Sequence, residues 1–113
     1  MPPFKSYRIF NENNKIVGRV SELTLDDLKP GEVVFKNHFS SVNYKDALAA
    51  TGTGGKIIRS YPLVGGIDAA GVVASSADAR FKPGDPIICT SYDFGVGQDG
   101  GFAEYCRVPA DWV

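Results

Sequence analysis

What most limits the fold of this chain is how often it is interrupted. Turn-forming clusters cut its 113 residues into short pieces: Asn11-Glu12-Asn13-Asn14, Pro30-Gly31, Thr51-Gly52-Thr53-Gly54-Gly55, Pro83-Gly84-Asp85 and the glycine-rich run from Asp93 to Gly101. Asn, Asp, Gly and Pro adopt or pre-set turn dihedrals, so each cluster ends the element before it. The pieces between them favour strands. Phe4 to Phe10 and Lys15 to Glu22 flank the first cluster and predict a β-hairpin. Glu32 to Val42 carries Val33, Val34, Phe35, Phe39 and Val42. Ile67 to Ser75 is a strand of small residues, where Ala70 and Gly71 permit close backbone approach. Pro86 to Tyr92 carries Ile87, Ile88 and Cys89, and Phe102 to Val108 is the last strand, stopped by Pro109. Thr24 to Lys29 predicts one helical turn, and Lys56 to Tyr61 fits neither period. The one good helix is Asn43 to Ala50, rich in Ala and Leu. Many short strands with regular turns predict a single, mainly β domain, either a sandwich or a partly open barrel.

Composition narrows the function. Hydrophobic residues at 43% and charged residues at 22% suit a globular core that needs neither disulfides nor a structural metal. Twelve basic residues against thirteen acidic ones, scattered along the chain, leave no basic stripe for nucleic acid. No run approaches the roughly 20 apolar residues of a membrane helix. The opening Met1-Pro2-Pro3-Phe4-Lys5 has no apolar signal region, so a cytoplasmic location is expected. Cys89 and Cys106 each fall inside a strand-like run and read as small buried hydrophobes in a reducing compartment. There is no C-x-x-C pair, hence no zinc lobe of that type.

One familiar pattern misleads. Gly95-Val96-Gly97-Gln98-Asp99-Gly100 matches G-x-G-x-x-G, but that motif grips a dinucleotide only when a helix follows it. Here Gly101 to Val108 reads as strand. Gly52 to Gly55 lacks the Lys-Ser/Thr ending of a phosphate loop. The single histidine, His38, sits in a β-rich stretch and reads as a strand residue rather than a general base. No serine lies in a G-x-S-x-G elbow.

Five segments occur in an informative order: Ser41-Val42-Asn43-Tyr44-Lys45-Asp46, then Pro62-Leu63-Val64-Gly65-Gly66-Ile67-Asp68-Ala69-Ala70-Gly71-Val72-Val73, then Phe81-Lys82-Pro83-Gly84-Asp85, then Gly100-Gly101-Phe102-Ala103-Glu104-Tyr105, then Pro109-Ala110-Asp111-Trp112. In that order they resemble the first domain of the medium-chain dehydrogenase/reductase superfamily, within its quinone oxidoreductase-like branch of acryloyl-CoA reductase type. The resemblance implies a GroES-like, partly open β-barrel with one or two short helices, acting as the substrate-side domain. It also implies NADP(H) bound by a Rossmann domain that this chain lacks, a closing segment from a C-terminal region, a homodimer in the full-length enzyme, and an inactive isolated domain. The abrupt ending at Asp111-Trp112-Val113 fits a truncated chain, and an exposed sheet edge or apolar patch is then expected.

Zinc-dependent members of that superfamily carry Cys where this chain has Asn43, and Gly-His-Glu where it has Gly66-Ile67-Asp68. Isoleucine cannot ligate zinc and an amide is a poor ligand, so the resemblance implies a zinc-free reductase that adds hydride to an activated C=C bond. It places Tyr44, Asp46 and Asn43 at the cleft as catalytic residues, with Asn43 and Tyr44 also beside the cofactor. A structural account competes: Asn43 as N-cap with Asp46 at N3 is a capping box, and Tyr44 suits a half-buried lining position. Lys45, Lys56 and Arg59 suit either an acyl-CoA phosphate or plain solvated charge. The loop from Asp93 to Gly101 suits either a substrate mouth or a flexible connection. A stand-alone barrel serving as a binding or assembly module is the rival reading, opposed by the absence of an apolar docking tripeptide.

Overall fold

A computed structural model describes residues 3–52, 58 and 61–113. In chain order its elements are β1 (Phe4–Glu12), β2 (Lys15–Leu23), β3 (Val33–Ser40), α1 (Tyr44–Thr51), β4 (Leu63–Val64), β5 (Asp68–Ser76), β6 (Pro86–Thr90) and β7 (Tyr105–Val108), with 3₁₀ turns at Leu25–Asp27 and Ala110–Trp112. The expected hairpin forms in full register from Phe4↔Leu23 to Glu12↔Lys15. Its two-residue turn puts Asn13 and Asn14 at φ 54° and 66°, the left-handed pair that asparagine tolerates and that matches strand twist. The short β4 pairs with β1, giving a three-stranded sheet ordered β2-β1-β4. The second sheet is antiparallel and ordered β6-β5-β3-β7. The two sheets do not close on one another, so the fold is mainly β and partly open, with one helix.

The last strand is shorter than its sequence pattern suggests. Residues 102–104 leave the second sheet's ladder to join the two sheets: Tyr7 N–H donates to the Phe102 carbonyl at 2.7 Å, Glu104 N–H to Lys5 O at 3.0 Å, and Asn37 N–H to Glu104 O at 2.8 Å. Pairing with both sheets satisfies these backbone groups without a continuous strand. Strand β6 also stops early, at Thr90, because Ser91 and Tyr92 turn into the left-handed region at φ 66° and 53°.

Burial alternates along β5 and β6, as a sheet with one dry face requires. The dry face gathers Val33, Phe35, Val73, Cys89, Cys106 and Val108 around Phe94, which comes from the glycine-rich run. Phe35 is fully buried, worth about 1.5–3 kcal/mol relative to leaving its ring in water. A second cluster joins Phe4, Leu23, Leu28 and Val64, and a third seats Ala49 of α1 on Ile9, Ile58 and Leu63. The other face of the second sheet is bare. Phe39 pairs with Ala70 and Ala70 with Ile88, so three apolar side chains line up in one cross-strand row. Phe39 and Ile88 are 74% and 66% exposed. A shallow apolar groove of about 740 Å³ runs beside them, lined also by His38, Phe81 and Val113.

No helix among the described residues is long and apolar enough to cross a membrane. Of the glycine loop after α1, positions 53–55 lie outside the described residues, as do Lys56 and Arg59.

Candidate functional site

The site residues converge where α1 begins. Asn43 is extended, at φ −123° and ψ 163°, and the helix starts on the next residue. The chain needs a side chain here that can substitute for the missing helical partners of the first turn. Asp46 provides it: its Oδ2 accepts from the backbone N–H of Asn43 at 2.9 Å, while its own N–H bonds the Asn43 carbonyl at 3.0 Å. The capping box expected from the sequence is present. The helix ends as its residues dictate, with Gly52 left-handed at φ 74° and its N–H on Leu48 O.

Asp46 does more than cap. It is buried, and its second oxygen, Oδ1, accepts from Ile67 N–H at 3.0 Å. The carboxylate thus ties the head of α1 to the loop that leads into β5. Asn43 reaches the same loop from the other side. Its Nδ2 donates to Asp68 Oδ2 at 2.9 Å, to Ser41 Oγ at 3.0 Å and to Asp46 Oδ2 at 3.1 Å. Ser41 O–H in turn donates to Asp68 Oδ2 at 2.8 Å. Asn43, Ser41, Asp46 and Asp68 therefore form one polar knot at the end of the second sheet, where Asp68 pairs with Thr90.

Tyr44 stands outside this knot. It is 81% exposed at the first helical position and makes no hydrogen bond to the described residues. At that exposure it is not the half-buried lining residue that the sequence suggested. Val42 beside it is 85% exposed. Lys45 is exposed too. His38 lines the apolar groove on the bare face and is not part of the knot's hydrogen bonds.

The glycine-rich run supports the site from behind. It is neither a mouth nor a flexible connection: Phe94, Val96, Gln98, Asp99, Gly100 and Gly101 are all buried. Gly100 N–H donates to Val64 O at 2.9 Å and Gly101 N–H to Gly66 O at 3.0 Å. A Cβ on Gly100 would stand 2.1 Å from Gly66 O, so only glycine fits this crossing. Asp99 accepts from Val64 N–H at 2.9 Å and Lys29 N–H at 3.0 Å. No helix follows the G-x-G-x-x-G run, and its glycines serve close backbone packing. That packing fixes Gly65 and Gly66, and so fixes Ile67 over Asp46.

Ser41 and Asp68 were not singled out by sequence reasoning: the fold brings Asp68 to Asn43 from 25 residues away, and Ser41, two residues before Asn43, gains its second partner only from Asp68. Tyr92, which follows β6 at the same end of the sheet and stacks on Trp112 with rings 5.6 Å apart and 2° from parallel, was missed for the same reason. Burial pushes the Cys89 thiol up to about 12, with the Asp68 carboxylate adding to the effect, and pushes the Cys106 thiol up as well. Both are buried and free of disulfide, as expected. Among the described residues no group of three or more His, Cys, Asp or Glu is placed to hold a metal ion.

Comparison with known proteins agrees with this architecture. Residues 29–113 match the family described as the alcohol dehydrogenase GroES-like domain. The Bacillus subtilis protein YhfP, provisionally named a quinone oxidoreductase, is 51% identical over 94 residues, covering 83% of this chain and 28% of its own. The acrylyl-CoA reductase AcuI of Ruegeria pomeroyi is 44% identical over 102 residues, covering 90% of this chain and 31% of its own. The crystal structure of the yhdH oxidoreductase from Salmonella enterica in complex with NADP superposes with a TM-score of 0.91 at 42% identity, over 96% of this chain and 33% of that one. The chain thus spans about a third of the length of the proteins it matches.

Proposed function

The chain belongs to the alcohol dehydrogenase GroES-like domain family, and on that premise we propose that it is the substrate-side domain of a zinc-independent, NADP(H)-dependent reductase acting on an activated C=C bond. The substrate class is an α,β-unsaturated thioester, alkenal or quinone. The carrying observation is the exposed hydroxyl of Tyr44, without a hydrogen-bond partner among the described residues and held at the head of a helix whose first turn is clamped by buried Asp46. The names of the relatives, an acrylyl-CoA reductase and an oxidoreductase in complex with NADP, support the same chemistry. In the full-length reductase, a nucleotide-binding domain beyond this chain and a homodimer complete the assembly.

The donor set supports the zinc-free part of the reading. Where the zinc-dependent members carry Cys and His, this chain has Asn43, an amide and so a poor ligand beside a thiolate, and Ile67, which has no ligating atom; the Asp68 carboxylate is bonded to Asn43 and Ser41. An exposed phenol beside an exposed Val42 and an oriented amide fits a nicotinamide ring with its carboxamide, so Asn43 and Tyr44 are the residues that would hold it. The chemistry a bound nicotinamide brings is hydride donation.

The chain's own residues then act as follows. The Tyr44 hydroxyl donates to the substrate carbonyl oxygen, which gains negative charge as the β-carbon is reduced. Asn43 orients the reacting partners. Asp46 is a positioning residue: with both oxygens engaged, it keeps Asn43 and Tyr44 at fixed spacing. Calorimetry with NADPH on this chain and on the product of the gene's full reading frame is the direct test. The expected result is no binding by the chain alone, with binding and oxidation of NADPH by the full product in the presence of acryloyl-CoA or a quinone. Tyr44→Phe then lowers kcat by about 10²-fold. Tight NADPH binding by the chain alone, or a reading frame ending at Val113, would instead favour the binding-module account.

A further inference from the structure

The polar knot fixes which end of the Asn43 amide faces out. Its Nδ2 carries two hydrogens and has three acceptors within 3.1 Å, two of them carboxylate oxygens. A carboxylate only accepts. Turned the other way, Oδ1 would meet Asp46 Oδ2 and Asp68 Oδ2 with no proton between them. Ser41 cannot rescue that orientation, because its one hydrogen goes to Asp68. Both N–H bonds of Asn43 are therefore spent inward. The side-chain carbonyl oxygen has two lone pairs; the helix's N3 amide lies against it in the capping box, and among the described residues no hydrogen bond is made to it.

We infer that Asp68, with Ser41, is a positioning residue that sets the polarity of Asn43, so that Asn43 offers the cleft an acceptor and not a donor. Resting on the reductase reading, this makes Asn43 the group that accepts from the carboxamide N–H₂ of the nicotinamide. It leaves Tyr44 as the donor to the substrate carbonyl. Asp68 is well placed for the task because it opens β5 and is held by its pairing with Thr90.

The test uses a dinucleotide in which the carboxamide is replaced by an acetyl group, the 3-acetylpyridine analogue. It keeps the carbonyl and loses the N–H₂. The product of the full reading frame is expected to bind the analogue about tenfold more weakly than NADPH's own ring type, the value of one hydrogen bond. Asn43→Ala should bind the two dinucleotides alike, and Asp68→Asn, whose amide can turn either its oxygen or its N–H₂ toward Asn43, should lose part of the preference. Ser41→Ala, a milder change at the exposed rim, should lose part of the preference and serves if Asp68→Asn does not fold. Equal binding by the unaltered protein, or a tenfold preference that survives in both Asp68→Asn and Ser41→Ala, overturns the inference. A second readout needs no cofactor: in the 113-residue chain the Asn43 side-chain N–H₂ protons should exchange slowly and shift on Ser41→Ala or Asp68→Asn. Fast exchange and unmoved resonances overturn the assigned polarity. Failure of the full product to bind either dinucleotide overturns the reductase reading, and the resonance measurement then decides the amide's orientation alone.

Discussion

Two stretches of this chain trade places between sequence and structure. The run from Asp93 to Gly101, with four glycines and two charged residues, has the composition of a surface loop and lies inside. The stretch from Phe39 to Tyr44, with two aromatic residues and a valine, has the composition of a core strand and lies outside, Phe39, Val42 and Tyr44 being 74%, 85% and 81% exposed. What separates them is the supply of backbone partners. The glycine run comes close enough to Gly65 and Gly66 for direct N–H to carbonyl bonds, and Asp99 and Gln98 satisfy the backbone of Lys29, Pro30, Val64 and Arg107. Burial there costs nothing in unpaired polar groups. The aromatic stretch has no layer above it among the described residues. Polarity therefore reports a segment's side chains, and burial depends also on what the fold brings against its backbone.

The sharpest way to break this contrast is Gly100→Ala. Its new methyl would meet Gly66 O, a backbone atom that cannot swing aside, and the loss should reach about 3 kcal/mol in urea unfolding. A loss under about 1 kcal/mol would mean that the run is not wedged in place. Asp99→Ala comes next. It strands the buried N–H groups of Val64 and Lys29, for an expected cost of about 2–3 kcal/mol, with Asp99→Asn milder because an amide oxygen still accepts.

The same interior should speak through its thiols. Burial keeps Cys89 protonated up to about 12, whereas an unfolded thiol ionises near about 8.5. Above that lower value the unfolded chain sheds protons that the folded chain keeps, so stability falls as pH rises. The slope should steepen from shallow near pH 8 toward about 1.4 kcal/mol per pH unit for each buried thiol near pH 10, read by denaturation at pH 8, 9 and 10. Native protein at pH 8 should also resist a thiol reagent that labels both cysteines in denaturant; ready labelling without denaturant would open the core as drawn. The smallest effect belongs to the outer stretch. Phe39→Ser with Ile88→Ser should change the stability of the chain by no more than about 0.5 kcal/mol, because neither ring nor branch leaves water on folding.

How much of this was legible follows from distance along the chain. The hairpin announces itself in Asn13-Asn14, and α1 in Asn43, Asp46 and its alanines, because the forces involved act within four residues. The GroES-like resemblance likewise gave the partly open β fold. Strand β4 was invisible: Leu63 and Val64 are too short to show a period and exist as a strand only because β1 is beside them. The start of β7 was misplaced because residues 102–104 look β-like while bridging two sheets. At the site, Asn43, Tyr44 and Asp46 stood out locally. Asp68, 25 residues from Asn43, acquired a role only through the β3–β5 register, which shifts twice along its length and cannot be counted out from the sequence, and Ser41 stood out only once Asp68 was beside it.

The stacked pair of Tyr92 and Trp112 has an optical consequence. Trp112 is the chain's sole indole, so its emission is the chain's whole tryptophan signal. The phenol lying parallel on it belongs to the turn just past Thr90, the residue paired with Asp68. Light absorbed by Tyr92 is handed to a partner 5.6 Å away, and any event that lifts the phenol off the indole changes both colour and intensity. The molecule thus carries its own lamp just past the end of β6, and movement there can be watched without attaching a dye.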